Sequence, residues 1–421
     1  MKKIQAKTER IVNGRTLIVT VDLGKTTNVG YCRCPDGTDN KPFNFFNDGH
    51  GFNKFWSCVS EMMRIHNMED VVVGFESTGP YGEPLVHYLQ KRGVRLVQVN
   101  PMHTKRLKEL HGNSPNKTDE KDPKVIADII ELGHALSLVI PEGVAAELRR
   151  LTQARERGIA RRTALLNQLH DLVFILFPEF LQIMGSMKGK SAQYLLTYHT
   201  IPQEIIGLGL ETLTLVLRRI SRGTLGAERA SALYEAAQGS VGIKEGEDSI
   251  VFEMRNILAI VEASDRFTED VETKMSHYLG QIPYSRSILS LKGVGKITAA
   301  GLIGEVGDFR KFKTISEITK LAGLDLFEIS SGKYKGKRRI SKRGRPLMRK
   351  LLFFAAVNVV RKGGILHEQY QQCLQRGMVK MKALTAMARK LLRIIYALVR
   401  DHSDYVHGYT KTQKLSLPEA E

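Results

Sequence analysis

Two seven-residue runs constrain this chain more than any other feature. Leu17–Leu23 reads L-I-V-T-V-D-L and Asp70–Glu76 reads D-V-V-V-G-F-E, and each run reaches an acid at or near its end, Asp22 and Glu76. Near-continuous β-branched residues are what a strand covered on both faces requires. A carboxylate at the C-terminal lip of such a strand is costly unless it pairs, caps or binds a cation. The plainer reading of Asp22 is a turn acid, since Gly24-Lys25-Thr26-Thr27 follows and turns the chain. Between the runs, Phe52, Phe55, Val59, Met62 and Ile65 fall on one face of a helix over 51–68. A right-handed crossover through that helix makes the two runs parallel neighbours. Adjacent strands lie about 4.8 Å apart, close enough for Asp22 and Glu76 to share a divalent cation.

The rest of the first third fits around that pair. Thr16–Asp22, Val29–Cys34 and Pro42–Phe46 are strand candidates joined by short Gly- and Pro-containing separators, which predicts antiparallel hairpins. A short helix over 82–92, a strand over Val94–Asn100 and a helix over 102–110 follow. Lys117-Thr118-Asp119-Glu120-Lys121-Asp122 then opens an apolar-periodic helix carrying Val125, Ile126, Ile129 and Ile130. Asp119 and Asp122, three apart, share a helical face. Asp122 before Pro123 also reads as an N-cap with proline at the first helical position, and the two roles can coexist. The element order is that of an α/β, RNase-H-like domain over 1–140. Its four acids, Asp22, Glu76, Asp119 and Asp122, suit two-metal phosphodiester chemistry with Mg2+ or Mn2+.

Composition supports a polyanionic partner. Lys and Arg number 63 against 44 Asp and Glu, a net charge of +19, which favours nucleic acid over a membrane surface. No apolar run approaches the roughly 18 residues of a membrane span, and Met1–Arg15 is too charged for a signal peptide. Cys32, Cys34, Cys58 and Cys373 are too scattered for a disulfide framework or a zinc site, so a reducing cytoplasm is expected.

From Pro141 the pattern turns helical. Stretches over 142–176 and 245–279 are long helices, the first lined with Arg149, Arg150, Arg155, Arg157, Arg161 and Arg162. They predict either an antiparallel pair or a dimerising coiled coil across a helical region at 141–284. Residues 185–242 hold shorter helices without an assignable role. A mostly α-helical domain over 285–405 follows, with a loose tail at 406–421. Within it, Gly293-Val294-Gly295 reads either as a plain helix turn or as a helix-hairpin-helix-like motif, whose glycines free backbone N–H groups for a phosphate. Between Lys333 and Lys350 there are ten basic residues and no acid in eighteen positions. Lys333, Lys335, Lys337, Arg338, Arg339, Lys342, Arg343 and Arg345 are therefore read as phosphate contacts. Ser330 and Ser331 open this field, and nearby cations favour a serine alkoxide.

Taken together, Asp22 after a first strand, Glu76 in E-S-T-G-P-Y, Lys117-Thr118-Asp119-x-x-Asp122, and the later G-V-G, A-G-L, S-S-G and I-S-K-R-G motifs resemble the DEDD transposases of bacterial insertion sequences, bridge-RNA-guided recombinases, from about residue 16 to 400. The resemblance implies a RuvC-like domain whose tetrad Asp22, Glu76, Asp119 and Asp122 holds magnesium. It implies a C-terminal transposase domain whose nucleophile is Ser331, with Ser330 leaving the register open. It further implies a homo-oligomer, dimer or tetramer, acting on donor and target DNA with a guide RNA. Pro123 and the long 185–242 segment depart from the family pattern. The alternative is a metal-dependent endonuclease of Holliday-junction-resolvase type, which needs no serine; a third class, nucleic-acid binding without catalysis, leaves the four acids unexplained.

Overall fold

The computed structural model describes residues 12–76, 79–111, 121–328, 330–331, 334–336 and 338–408, the side chains at 110, 111, 121, 330, 331, 334 and 335 excepted. The chain divides into two compact units, 1–139 and 140–421.

The first unit is built on a six-stranded sheet. Its strands are β1 (Thr16–Asp22), β2 (Thr27–Arg33), β3 (Phe43–Phe46), β4 (Asp70–Glu76), β5 (Arg95–Val99) and β6 (Leu136–Ser137), in the order β3-β2-β1-β4-β5-β6. As the hydrophobic runs require, β1 and β4 are central and parallel, while β2 and β3 are antiparallel hairpin partners. The two-residue β6 pairs antiparallel with β5 and is too short to show a period in the sequence. Helices α1 (Gly49–Ile65), α2 (Glu83–Gln90), α3 (Pro101–His111) and α4 (Lys121–Glu131) complete the unit. Strand alternation sends Ile18 and Val72 to the face that α4 covers with Val125, Ile126, Ile129 and Ile130, all buried. On the opposite face Phe45 meets Phe55 of α1, ring centres 4.7 Å apart.

Gly74 shows how closely α4 lies on the sheet. A Cβ there would stand 2.2 Å from the Ile130 Cδ1, so the glycine inside an otherwise β-branched run makes room for the helix.

The second unit carries two 34-residue helices, α5 (Gly143–Leu176) and α11 (Glu247–Gly280). They pack antiparallel within the one chain. Arg155 Nε meets Glu272 Oε1 at 2.7 Å, Arg162 pairs with Asp265, and Gln168 Nε2 meets Glu253 Oε1 at 2.6 Å. Of the two expected arrangements, this is the intramolecular one. Such half-exposed polar links contribute at most about 1 kcal/mol each. Each fully buried Leu or Met along the seam contributes about 1.5–3 kcal/mol, so apolar packing decides the pairing.

At one end of the pair, Leu166, Leu169, Val173 and Leu176 join Met254, Ile257 and Val261 in a core shared with α6 (Pro178–Met184), α7 (Lys190–Tyr198), α8 (Pro202–Leu208), α9 (Leu210–Ile220) and α10 (Ala227–Gln238). At the other end, Leu148, Val271 and Met275 enter a separate core. That core is formed with α12 (Ser285–Leu289), α13 (Lys296–Val306), α14 (Ile315–Leu321), α15 (Pro346–Val359), α16 (His367–Gln375) and α17 (Lys380–Arg400). Helix α13 is packed with small residues, and a Cβ on Gly304 would lie 2.6 Å from the Arg149 backbone nitrogen, so α5 and α13 touch nearly backbone to backbone.

Between α14 and α15 the chain forms two nested two-stranded ladders. β7 (Leu326–Phe327) pairs with β10 (Arg339–Ile340), and β8 (Ser330–Ser331) pairs with β9 (Tyr334–Lys335). Among the described residues no helix is long and apolar enough to cross a membrane.

Candidate active site and serine arm

The acids of the first unit meet at one edge of the sheet. The β1–β4 ladder runs in parallel register to Val21–Phe75, so Asp22 and Glu76 are the next residues on adjacent strands. Asp22 follows Ile18 and Thr20 in alternation, and Glu76 follows Val72 and Gly74, so both acids belong to the face that α4 covers. Thr20, wholly buried, donates its hydroxyl to the Pro123 carbonyl at 2.7 Å. That bond fastens the first turn of α4, and with it Asp122, over β1. Arg33 Nη1 reaches Asp128 Oδ1 at 2.5 Å and holds the helix further along.

The sequence reading of Asp122 as a cap requires correction. Helix α4 begins at Lys121, and Asp122 lies inside its first turn. An acid there is favoured by the helix dipole and remains able to face the other carboxylates.

Electrostatics connect the three acids. The Glu76 carboxyl is pushed above its usual range first by burial, then by the negative charges of Asp122 and Asp22. The Lys108 ammonium and a side-chain hydrogen bond with Thr104 pull it back. Lys108 Nζ also lies 2.5 Å from Asp122 Oδ1. Thr104 and Lys108 are four apart on α3 and present one face to the acids. Neither was singled out from sequence, although their spacing after the strand-ending Asn100 is a readable signal. Asn47 has a similar role in the loops. Its Nδ2 donates to the Gly24 carbonyl at 3.2 Å and to the Tyr81 carbonyl at 3.0 Å, tying the turn after Asp22 to the segment after Glu76.

Glu76 thus senses the charge of both Asp122 and Asp22, and carboxylate oxygens are hard donors of the type that Mg2+ or Mn2+ takes. Asp119 lies outside the described residues. Among those described, no three acid, histidine or cysteine side chains close around a single point, and Lys108 engages Asp122.

The second expected focus is the serine arm. Ser330 is opposite Lys335 and Ser331 opposite Tyr334, so both serines are strand residues. The root of the arm is tightly built. Lys342 N donates to the Gly323 carbonyl at 3.0 Å, Arg345 N to the Leu321 carbonyl at 2.8 Å, and Ser341 N to the Asp325 carbonyl at 2.9 Å. Gly323 has φ +64°, and a Cβ on Gly344 would lie 2.5 Å from both Gly323 N and the Leu321 carbonyl oxygen. The glycines of A-G-L and K-R-G are thus the point where the two ends of the arm cross.

The basic residues divide. Arg339, Lys342 and Arg343 are exposed, and Arg338 Nε pairs with Glu328 at 2.9 Å. Arg345 turns inward instead, its guanidinium donating to the Glu305 carbonyl, and burial followed by the nearby Arg149 pushes it down to about 10. Lys335 is on β9, whereas Lys333 and Lys337 lie outside the described residues. Gly293 has φ +103°, and a Cβ there would meet Val359 Cγ1 at 3.0 Å, which gives this glycine a packing reason. Gly295 precedes α13, but α12 before it is only five residues, so two full helices do not flank the turn.

With this geometry in place, comparison with known proteins is specific. A transposase family model of the DEDD, IS110 type matches residues 19–178, which contain the four acids. A second, the transposase IS116/IS110/IS902 family, matches 285–371, which contain the arm and both serines. The chain belongs to the IS110/IS116 family of insertion-sequence transposases. Among its relatives, the IS116 44.8 kDa protein of Streptomyces clavuligerus is 25% identical over 79% of this chain and 83% of its own. The IS900 42 kDa protein of Mycobacterium paratuberculosis is 25% identical over 70% and 74%. A transposase for the element IS1111A of Coxiella burnetii is 25% identical over 75% and 74%. This transposase is accordingly a DNA-recombining enzyme.

Proposed function

We propose that this transposase cuts and rejoins DNA through a serine nucleophile on its arm, aided by a metal site at the sheet edge of the first unit, and that a structured guide RNA selects the DNA. The observation that carries the catalytic half is geometric: Asp22 and Glu76 follow the last paired residues of adjacent parallel strands, and the Thr20–Pro123 bond fastens the first turn of α4, which holds Asp122, over the same face. Asp22, Glu76, Asp119 and Asp122 would hold Mg2+ or Mn2+. When bound, the ion supplies Lewis-acid polarisation of a phosphodiester and compensates the acids' mutual repulsion.

Ser331 is the nucleophile in this reading. Its Oγ attacks phosphorus, a serine–phosphate bond forms, and the bond to one deoxyribose oxygen breaks. The serine proton ends on that leaving oxygen. Rejoining runs the same step backwards with a different strand's hydroxyl, restoring the serine. Arg339, Lys342 and Arg343, exposed beside the arm, neutralise the phosphate approached. Arg345 is left out of this set because its guanidinium serves the fold. Support for RNA guidance and for a homo-oligomer comes from the resemblance of the whole motif series to the bridge-RNA-guided family, together with the charge of +19.

Two measurements test the proposal. Denaturing gels of the protein with its element-end DNA should show a covalent adduct that Ser331→Ala removes. An adduct surviving in both Ser331→Ala and Ser330→Ala overturns the serine reading. Cutting without any adduct, abolished by Glu76→Gln, establishes the resolvase-type reading instead. Sequencing the nucleic acid that copurifies should return one discrete RNA encoded beside the gene; heterogeneous RNA alone overturns guidance.

A further inference from the structure

Helix α17 carries a second basic surface, apart from the arm's basic run. Its twenty-one residues include Lys380, Lys382, Arg389, Lys390, Arg393 and Arg400, and no acid. One face is the apolar stripe of Met387, Leu391, Leu392, Ile395 and Val399, buried in the unit's core. A different face forms an open groove of about 510 Å³, lined by Ala386, Arg389, Lys390, Arg393, Ile394 and Ala397. These positions follow helical spacing, so the groove runs along the axis for roughly 16 Å at 1.5 Å per residue.

Three observations make this face unfinished. Arg389 Nε is buried and has no hydrogen-bond partner among the described residues. Its guanidinium is held below the usual value by burial and by the like charge of Arg393, and only Asp325 opposes this. Lys390 and Arg393 are exposed. A buried arginine N–H without an acceptor costs about 1–3 kcal/mol, and two guanidinium groups side by side repel. A phosphate oxygen lodged beside the exposed Arg393 neutralises the pair, and a rotation of the long Arg389 side chain brings its Nε to the same acceptor. Ala386, Ile394 and Ala397 leave a shallow apolar floor against which a deoxyribose can lie.

We propose that this groove is a phosphate track for the DNA duplex on which the transposase acts, with Arg389 and Arg393 as its anchoring residues and Lys390 at its rim. The inference rests on the reading of the arm as the carrier of the nucleophile. Asp325, next to Arg389 in charge, accepts the Ser341 hydroxyl at the root of that arm. Asp325 directly precedes β7 (Leu326–Phe327), and β7 leads on to the ladder that holds Ser330 and Ser331. DNA lying on the track therefore passes the foot of the structure that bears Ser331. Duplex DNA is the occupant because the groove lines up three cations and no acid along one helix, and the chain belongs to a family of insertion-sequence transposases.

The test is a salt titration of binding to a short random-sequence duplex, followed by fluorescence anisotropy, for wild type and the Arg389→Gln/Arg393→Gln double variant. Each lost phosphate contact lowers the salt slope by about 0.9, so two contacts weaken binding roughly 60-fold near 0.1 M salt and leave it unchanged near 1 M. An unchanged slope overturns the proposal. A loss confined to a structured RNA probe, with duplex binding intact, also overturns it. If the double variant fails to fold, Arg393→Gln alone, at an exposed position, should reduce the slope by about 0.9, and an unaltered slope there is equally decisive. Ser331→Ala should titrate like wild type. A serine-dependent adduct with an unaltered double-variant titration removes the track and keeps the nucleophile. An altered titration with a serine-independent adduct does the reverse.

Discussion

Gly344→Ala isolates the crossing point of the serine arm. The added methyl would sit 2.5 Å from Gly323 N and from the Leu321 carbonyl oxygen, and 2.8 Å from the Lys320 carbonyl oxygen. All three are backbone atoms, so no side chain can swing aside. Either the root opens or the crossing strands slide. Overpacking of this kind costs about 1–3 kcal/mol. Opening also weakens the bonds from Lys342 N to Gly323 and from Arg345 N to Leu321, each contributing about 1 kcal/mol. A total near 3 kcal/mol follows, which for a unit spanning 140–421 lowers the melting temperature by roughly 5 °C. The matched control is Gly207→Ala. Gly207 lies within α8 and has no atom within 4 Å of a built Cβ. The same substitution there should stabilise by about 0.5–1 kcal/mol. Calorimetry gives the stability of each. Adduct yield reads the functional half, because an ångström-scale displacement of a nucleophile can cost about 100-fold in rate. A Gly344→Ala protein that melts and forms adduct like wild type refutes the crossing as the device that sets the arm.

Three further outcomes follow from the acid site. Lys108→Met removes the cation held 2.5 Å from Asp122; the metal-free protein should lose about 1 kcal/mol, while the thermal shift produced by added Mg2+ should grow, and a shift that shrinks instead makes Lys108 a positioner of the acids rather than a competitor of the metal. Glu76, raised by burial and by its acidic neighbours, binds its proton more tightly folded than unfolded, so metal-free stability should fall as pH rises from the ordinary glutamate value through the raised one; urea denaturation across that window should show the fall flattened in Glu76→Gln, and equal slopes count against the coupling. Gly74→Ala should destabilise by about 1–3 kcal/mol through contact with Ile130, and adding Ile130→Val, which deletes the Cδ1 atom met at 2.2 Å, should recover part of the loss. Additive losses in that pair place the obstruction elsewhere.

How much of this was legible depended on what each signal measures. The runs ending on Asp22 and Glu76 announced central strands because both-face burial writes itself as uninterrupted β-branched sequence. Their parallel register followed from the helix between them. The 34-residue length of α5 and α11 was equally plain, but length and loose periodicity are shared by intramolecular pairs and coiled coils. The cores that both helices enter, with the Arg155–Glu272 and Arg162–Asp265 contacts across the seam, choose between them. Asp122 misled as a cap, because Asp-Pro has the chemistry of a helix start whichever position of the first turn it occupies. Arg345 misled for a different reason. A run of like charges records composition, whereas the direction of each side chain is set by the packing of α13 and α15 beneath it, invisible at that distance in sequence.

The residues that escaped notice share a property. Thr20, Gly74, Thr104 and Asn47 carry no net charge and match no catalytic pattern. Each acts on an acid or an acid-bearing element through one contact: a hydroxyl on the Pro123 carbonyl, space for Ile130, a hydrogen bond to Glu76, an amide joining two loops. A carboxylate cluster needs them more than a neutral site would. Like charges gathered at one sheet edge repel, so their backbones must be fixed from outside the cluster before any cation arrives. The same logic governs the arm, where Gly323 and Gly344 lock the root from which the serine-bearing ladder extends. In both places the reactive residue type is readable in the sequence, and the residues that aim it are chosen for shape.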